Sequence, residues 1–578
     1  MSPLSFELKS KFYDSVGVLP HQEYPRPQLV RDSYLNLNGY WDYAILKKGQ
    51  TPDKYDGKIL VPFSPEALLS GVMRTVLPTD VIFYKRKFKV PDSFIDEKTI
   101  LHFSAVDYAC AVFLNDIVVG THKGGYLPFS FDVTKAIKPG NNTIRVEVTD
   151  PSDTGVGAKG KQKLKPGNIW YNPQSGIWGT VWLESVSYDY ISDLCITPDI
   201  DNDTVTVSAT TTAQSVRVVI LDNNNTVAEA EGPSPLTIKL KNYELWSPNN
   251  PKLYDLKINT SRDYATSYFG MRKFSVGTDS HGKKRLMLNN RPYFHTGVLD
   301  QGYWSDGKLT PPSDEAMIYD IEMLKNMGFN MIRKHIKIEP LRWYYHCDRL
   351  GMLVWQDMVN GGSDYNFLSI GILPFLGFKI KDNHYKFFAR SSAEGRKEFI
   401  EETKQTVNLL KNTVSIAMWV PFNEGWGQFD SNSVSDMIQK MDPTRTIDRT
   451  SGWHDQGGGD FISLHTYFTP IKVPNDPRCY LLSEFGGFSK ATPFHMYRPT
   501  RIFGYRVYPT KKKLTDAFVK LYEERIIANI DKGLSASVYT QVSDVEEEIN
   551  GLVTYDRKVE KLDRETVFEL NKKCVIKE

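Results

Sequence analysis

Two apolar runs, far apart in the chain, end in the same way. Ala417-Met418-Trp419-Val420-Pro421-Phe422 stops at Asn423-Glu424-Gly425, and Cys479-Tyr480-Leu481-Leu482-Ser483 stops at Glu484-Phe485-Gly486-Gly487. A short unbroken apolar run is what a strand covered on both faces requires, and such strands belong to parallel sheets wrapped by helices. The flanking sequence alternates accordingly. Phe294–Leu299 reads as a strand, followed by an amphipathic helix from about Ser313 with Met317, Ile321 and Leu324 on one face and Gly328 as its stop. Strand Phe329–Arg333, a helix after Pro340 closed by Gly351, and strand Met352–Asp357 follow. An irregular insertion rich in Gly, Phe and Lys, about 360–391, precedes a helix carrying Phe399, Val407 and Leu410. Further strands are predicted at Ser415–Pro421, Thr446–Ser451, Phe461–His465, Tyr480–Ser483 and Ser535–Gln541, with a last helix near 562–573. About eight strands alternating with helices predict a (β/α)8 TIM barrel. A doubly wound sheet is the other candidate, but Gly457-Gly458-Gly459 and Gly486-Gly487 match no phosphate-binding glycine pattern.

The first half has a different rhythm. Phe83–Val90, Ala111–Leu114 before Asn115-Asp116, and Thr143–Val148 are short strands broken by turn residues, with no helix-period stretch between them. They predict a jelly-roll β-sandwich over 1–190. Thr204–Ser208 and Val216–Leu221, with the turn Asp222-Asn223-Asn224-Asn225, predict an immunoglobulin-like sandwich over 191–275. The barrel then occupies 276–578, and 578 residues suit this multidomain division at about 150 residues per domain.

Composition removes several classes of partner. Lys and Arg number 71 against 69 Asp and Glu, a net +2, so there is no electrostatic footprint for nucleic acid or an anionic membrane. No apolar run approaches the roughly 18 residues of a membrane span. The start, Met1-Ser2-Pro3-Leu4-Ser5-Phe6-Glu7, lacks a basic segment followed by an apolar one, so no secretory signal is read and a cytoplasmic location is expected. Five scattered cysteines without CxxC spacing argue against a disulfide scaffold or a structural zinc site.

Barrel chemistry collects where the strands end. Those ends carry Asp300, Arg333, His335, Asp357, Asn423, Glu424, Trp453, His465, Tyr467, Glu484 and Gln541. Carboxylates, amides, imidazoles and an indole suit a hydroxyl-rich ring, and two glutamates suit cleavage of a glycosidic bond, one protonating the leaving oxygen and the other attacking the anomeric carbon. A lone Glu after an apolar strand is ordinarily a solvated loop residue; the repetition of the pattern on one barrel argues for a pair. Duller roles exist for the others: Asn423 as a turn cap, Arg333 as an ion-pair partner, His335 and His465 as core histidines, Trp453 as packing. The helix bearing Glu398, Glu401, Glu402 and Lys404 reads as a solvated face. The run Asp544–Glu548 reads as a loop from which Glu546 or Glu547 reaches the pocket rim.

The chain resembles glycoside hydrolase family 2, the family of β-galactosidases, β-glucuronidases and β-mannosidases. The resemblance runs through Leu37-Asn38-Gly39-Tyr40-Trp41, Val106-Asp107-Tyr108, Gly120 to Phe129, Ser175 to Trp182, Leu245-Trp246-Ser247-Pro248 and Phe269-Gly270-Met271-Arg272. In the barrel, Asn423-Glu424 is similar to the family's acid/base motif and Ser483-Glu484-Phe485-Gly486 to its nucleophile motif. The resemblance implies a retaining exo-β-glycosidase, with a β-galactoside as the expected substrate and a β-mannosidase, a β-glucuronidase or a non-catalytic glycan-binding protein as alternatives. It puts Arg333, His335, His465 and Tyr467 on the substrate rim, with Trp453 and Gln541 as further rim candidates. Family glucuronidases carry an Asn-x-Lys motif after the last strand, where this chain has Asn550-Gly551-Leu552. No cofactor is implied; a metal ion is allowed without assignable ligands, as is a homo-oligomer.

Overall fold

A computed structural model describes residues 7–374 and 376–577. The first sandwich stacks a four-stranded sheet (Tyr34–Asn36, Val181–Val186, Lys98–Phe103, Phe129–Asp132) on a six-stranded one that includes Gly39–Lys47, Asp80–Val90 and Gly140–Thr149. Alternate residues point inward, so Trp41, Tyr84, Val112, Ile144 and Leu183 share one core. The second sandwich packs sheets of three and four strands between Asp193 and Phe269 around Val205, Val218, Leu256 and Phe269.

The barrel has eight parallel strands, numbered here β1 His295–Asp300, β2 Met331–Lys334, β3 Leu353–Asp357, β4 Ile416–Val420, β5 Thr446–Ile447, β6 Phe461–Thr466, β7 Cys479–Gly486 and β8 Leu534–Thr540. They pair in the order β5-β4-β3-β2-β1-β8-β7-β6, leaving only the β5/β6 seam without ladder bonds. All residues of β2, β3, β4, β7 and β8 are buried, as the apolar runs require. Helix α1 (Asp314–Asn326) starts at Ser313, whose hydroxyl accepts from the Ala316 N–H. Helix α2 (Leu341–Leu350) ends at Gly351 with φ 73°, where a Cβ would lie 2.6 Å from the Pro248 carbonyl oxygen. Helix α3 spans Ala393–Leu410 and α4 Ser431–Met441. No helix among the described residues is long and apolar enough to cross a membrane.

Three local expectations are corrected. β5 is regular only over Thr446–Ile447; beyond it the pairing with the β4 side is broken up, the Asp448 N–H donating to the Trp419 carbonyl at 3.0 Å and the Ser451 N–H to the Phe422 carbonyl at 2.9 Å, while the Asp448 carboxylate accepts from the Ser463 hydroxyl at 2.7 Å. The insertion is not wholly irregular: Leu368–Ile372 forms a π-helical turn. The charged face of α3 is not freely solvated, since Glu398 accepts from the Tyr108 hydroxyl of the first sandwich and pairs with Lys123. Burial there raises the Glu402 carboxyl to about 8.

The first sandwich also reaches over the barrel mouth. Ala158 bridges to Gly361, the Lys159 and Gly160 N–H groups donate to the Asn360 carbonyl, and the Tyr171 hydroxyl donates to Glu548 Oε2 at 2.5 Å. The loop at 157–172 thereby becomes a wall of whatever lies at the strand ends.

Candidate active site

Glu424 sits in the turn after β4 with φ 50°, a left-handed conformation that costs a non-glycine residue and is held from outside. Its N–H donates to the Ser451 carbonyl at 2.9 Å, and the Trp426 N–H closes the turn on the Asn423 carbonyl at 2.8 Å. Glu484 is aimed by a β-bulge. β7 places two residues, Ser483 and Glu484, against one on β8, and the pairing with β6 shifts at the same point, so that Glu484 stands opposite His465.

The two bulged and strained turns bring the glutamates together: oxygens of Glu424 and Glu484 and a ring nitrogen of His465 lie within 4.8 Å of one another. His465 Nδ1 is 2.7 Å from Glu424 Oε1 and 3.6 Å from Glu484 Oε2. Its Nε2 faces Ser451 Oγ at 3.1 Å and Arg333 Nη1 at 3.4 Å. A guanidinium only donates, so Nε2 presents its lone pair and the ring proton sits on Nδ1, toward the glutamates. Burial keeps the ring neutral, with its pKa lowered to about 4.

The two carboxyls have unequal surroundings. Glu484 accepts from the Tyr467 hydroxyl at 2.5 Å on Oε2 and from Arg333 Nη1 at 3.3 Å on Oε1. Burial raises its pKa, and His465, Arg333 and Tyr467 oppose that rise while Glu424 adds to it. Among the described residues Glu424 has only His465 as a close donor, and burial raises it to about 7. When one proton is shared, it therefore settles on Glu424 and leaves Glu484 ionised.

Arg333, at the end of β2, ties the floor together. Nε and Nη2 donate to the two oxygens of Asp357, Nη2 to Asn423 Oδ1 at 2.8 Å, and Nη1 to the Ser483 carbonyl at 3.0 Å. The Asn423 amide nitrogen beyond this bond is buried without a partner. His335 Nδ1 meets Asp357 Oδ2 at 2.8 Å; burial keeps this ring neutral too, leaving Nε2 as an acceptor. Tyr467 stacks on Tyr505 at 3.9 Å, and the Trp453 ring lies 6.3 Å from that of His465.

Arg333, His335, Asn423, Glu424, His465, Tyr467 and Glu484 thus form one cluster with Trp453 beside it. Gln541 stands behind it, donating to Asn550 Oδ1 at 2.7 Å. Asp300 is not brought in: its carboxylate is taken by Lys334 at 2.5 Å and by the Gly302 N–H. Nor do Glu546 and Glu547 reach the pocket, being held by Lys308 and Arg498. The acidic residue that does abut the site is Glu548, clamped by Tyr171 and by the Asn550 amide. Sequence reasoning also missed Tyr505 and Lys161; an aromatic in a long loop and a lysine in another domain carry no signal of their destination.

Glu424, His465 and Glu484 are the one cluster among the described residues whose ligand atoms lie close enough to share an ion. The Arg333 guanidinium already occupies that space beside Glu484 and His465, which disfavours a divalent cation there.

Family comparisons agree with this architecture. Residues 52–184 match the model described as the glycosyl hydrolases family 2 sugar binding domain, 189–272 that of glycosyl hydrolases family 2, and 281–561 the family 2 TIM barrel domain. The chain belongs to glycoside hydrolase family 2. Among curated proteins it is 25% identical to a beta-galactosidase of Thermoanaerobacter pseudethanolicus over 73% of this chain and 55% of that one. It is also 25% identical to a beta-glucuronidase of Streptococcus agalactiae, over 69% and 68% of the two chains. The chain spans about half the length of the first of these. A beta-D-glucuronidase structure for Dictyoglomus thermophilum superposes with TM-score 0.74 at 18% identity, covering 95% of this family 2 chain and 98% of the other, a likeness of fold.

Proposed function

We propose that this family 2 chain is a retaining exo-β-glycosidase with Glu484 as nucleophile and Glu424 as acid/base. The observation that carries the reading is the separation of at most 4.8 Å between an oxygen of Glu424 and one of Glu484. Retaining pairs stand about 5–5.5 Å apart, whereas inverting pairs leave about 6.5–9.5 Å for a water. Glu424, protonated at first, gives its proton to the departing oxygen while the Glu484 carboxylate attacks the anomeric carbon. Bond formation consumes the negative charge on Glu484, so the pKa of Glu424 falls and its carboxylate then takes a proton from the water that releases the sugar. The unpartnered Asn423 amide donates to the sugar 2-hydroxyl, and Arg333 keeps that amide turned toward it. His335 Nε2 accepts from a second hydroxyl.

The substrate expected from the sequence is a β-galactoside, and the curated relatives carry both beta-galactosidase and beta-glucuronidase names. A panel of 4-nitrophenyl β-glycosides tests the activity, with the anomer of the first-formed sugar followed by proton NMR. Release of the β-anomer, abolished in Glu484→Gln, is the expected result. Release of the α-anomer would overturn the assignment, and a protein that binds sugars without cleaving any would be the glycan-binding alternative.

A further inference from the structure

Six lysines of the described residues are buried: Lys159, Lys161, Lys308, Lys334, Lys337 and Lys561. Five have acceptors. Lys159 donates to the Gly362 carbonyl at 2.8 Å, Lys308 to Glu546, Lys334 to Asp300 and Glu339, Lys337 to Glu339 and two carbonyls, and Lys561 to Asp544 and the Ile549 carbonyl. Lys161 is 5% exposed, and among the described residues its ammonium makes no hydrogen bond or ion pair, the carboxyls nearest it acting only through space. Its ammonium lies between two rings, 5.6 Å from the centroid of Tyr171 and 5.4 Å from that of Trp426. The two rings and the nearby carboxyls offset part of the cost of burying this cation, but none of them gives it a hydrogen-bond acceptor, and an arriving anion would.

The surroundings hold this cation in place rather than satisfy it. Its carbonyl accepts from the Tyr171 N–H at 3.0 Å, and the neighbouring Gly160 N–H is fixed to Asn360. The charged groups facing it are Glu548, Glu484, Glu424 and Arg333. Each of these carboxyls is engaged elsewhere: Glu548 by Tyr171 and Asn550, Glu484 by Tyr467 and Arg333, Glu424 by His465. Trp426 follows Glu424 by two residues, is 3% exposed, and has an indole N–H with no partner. The wall beside the glutamates therefore offers an ammonium and an indole N–H, both donors only. A neutral sugar hydroxyl can accept from one of them but leaves its own proton to be placed elsewhere and the charge unmatched; a carboxylate brings two oxygens, only lone pairs, and the opposite charge.

We propose that Lys161, supplied by the first sandwich, forms with Trp426 a carboxylate site in the barrel pocket, and that the terminal sugar taken is a uronic acid. The proposal rests on the glycosidase reading and names the sugar class of that site. Lys161 is thus a specificity residue contributed by one domain to the chemistry of another.

The test compares wild type, Lys161→Met and Lys161→Arg on 4-nitrophenyl β-D-glucuronide and β-D-galacturonide against the glucoside and galactoside. Wild type is expected to favour each uronide over the neutral sugar of the same C4 configuration. Lys161→Met is expected to lose about 10- to 100-fold more kcat/KM on the uronides than on the neutral partners, the range for a lost hydrogen bond to a charged group, with Lys161→Arg restoring part of it. Equal losses on both classes would mean that Lys161 only offsets nearby carboxylates, and would overturn the proposal. Calorimetric binding of glucuronate against glucose to Glu484→Gln gives a readout that needs neither turnover nor a Lys161 variant. Glucuronate binding no tighter than glucose also overturns it. Hydrolysis confined to neutral sugars sinks this proposal and leaves the glycosidase reading standing; glucuronate binding without turnover of any glycoside does the reverse.

Discussion

The Arg333 guanidinium meets the Asp357 carboxylate in two parallel bonds, Nε to Oδ1 at 3.0 Å and Nη2 to Oδ2 at 3.1 Å. Asp357 in turn accepts from His335, while the remaining N–H groups of Arg333 reach Asn423, Glu484 and the Ser483 carbonyl. One planar cation so links the ends of β2, β3, β4 and β7, which a point-charge ammonium cannot do.

Arg333→Lys is therefore expected to lower kcat/KM by at least about 100-fold, since both Asn423 and Glu484 lose a fixed neighbour. Arg333→Met is expected to lose about 3–5 kcal/mol of stability as well, because Asp357 is then left buried with its charge uncompensated. Steady-state kinetics and urea unfolding of the two variants check these outcomes. An Arg333→Met protein as stable as wild type would refute the role given to the ion pair.

Tyr467 donates to Glu484 Oε2 at 2.5 Å and helps to keep that carboxyl ionised against burial. Tyr467→Phe removes the donor, so the pKa of Glu484 rises. The acid limb of the kcat/KM profile is expected to move up by about one unit, while the basic limb moves less. A profile measured from pH 4 to 9 decides; an unmoved acid limb would assign Tyr467 to packing against Tyr505.

The parts of this site legible in the sequence are those that ride on strands. The runs ending at Glu424 and Glu484 are visible because strands buried on both faces must be continuously apolar, and a polar residue closing such a run marks a barrel rim. The bulge that turns Glu484 toward His465 is not legible, since nothing in Leu482-Ser483-Glu484 says which residue goes unpaired. β5 is over-read only in its regularity: 446–451 has strand composition, and past Ile447 its N–H groups still reach the β4 side at Trp419 and Phe422, but as isolated bonds and not as a continuous strand. Lys161 and Glu548 are hidden most deeply. One lies in a lysine-rich loop of the first sandwich, the other among neighbouring acidic residues, and only the docking of sandwich on barrel selects them. Asp300 shows the converse, a strand-end carboxylate whose partner Lys334 takes it out of the pocket.

With Glu424 as the proposed acid, its removal is expected to spare substrates that need little protonation. Glu424→Ala is expected to lose several orders of magnitude on alkyl glycosides but far less on aryl glycosides with acidic phenols, on the order of 10- to 100-fold. Azide, small enough to enter the space left by the carboxyl, is expected to restore turnover and give a β-glycosyl azide, detectable by mass spectrometry and NMR. An α-glycosyl azide would exclude a covalent intermediate on the opposite face.

The proton held by Glu424 also ties stability to pH. Burial raises its folded-state pKa to about 7, above the ordinary carboxyl value of 4.5. The favourable contribution of this group is complete below pH 4.5 and is lost as the pH climbs through 7, because the unfolded chain ionises the carboxyl at no comparable cost. By linkage the loss approaches about 3 kcal/mol at pH 8. Glu424→Gln keeps the shape and cannot ionise, so it is expected to be more stable than wild type at pH 8 and nearly equal to it at pH 4.5. Urea unfolding at the two pH values measures this directly. A difference that is constant between them, or that is larger at pH 4.5, would show that Glu424 does not carry its proton into neutral solution and would remove it as the general acid.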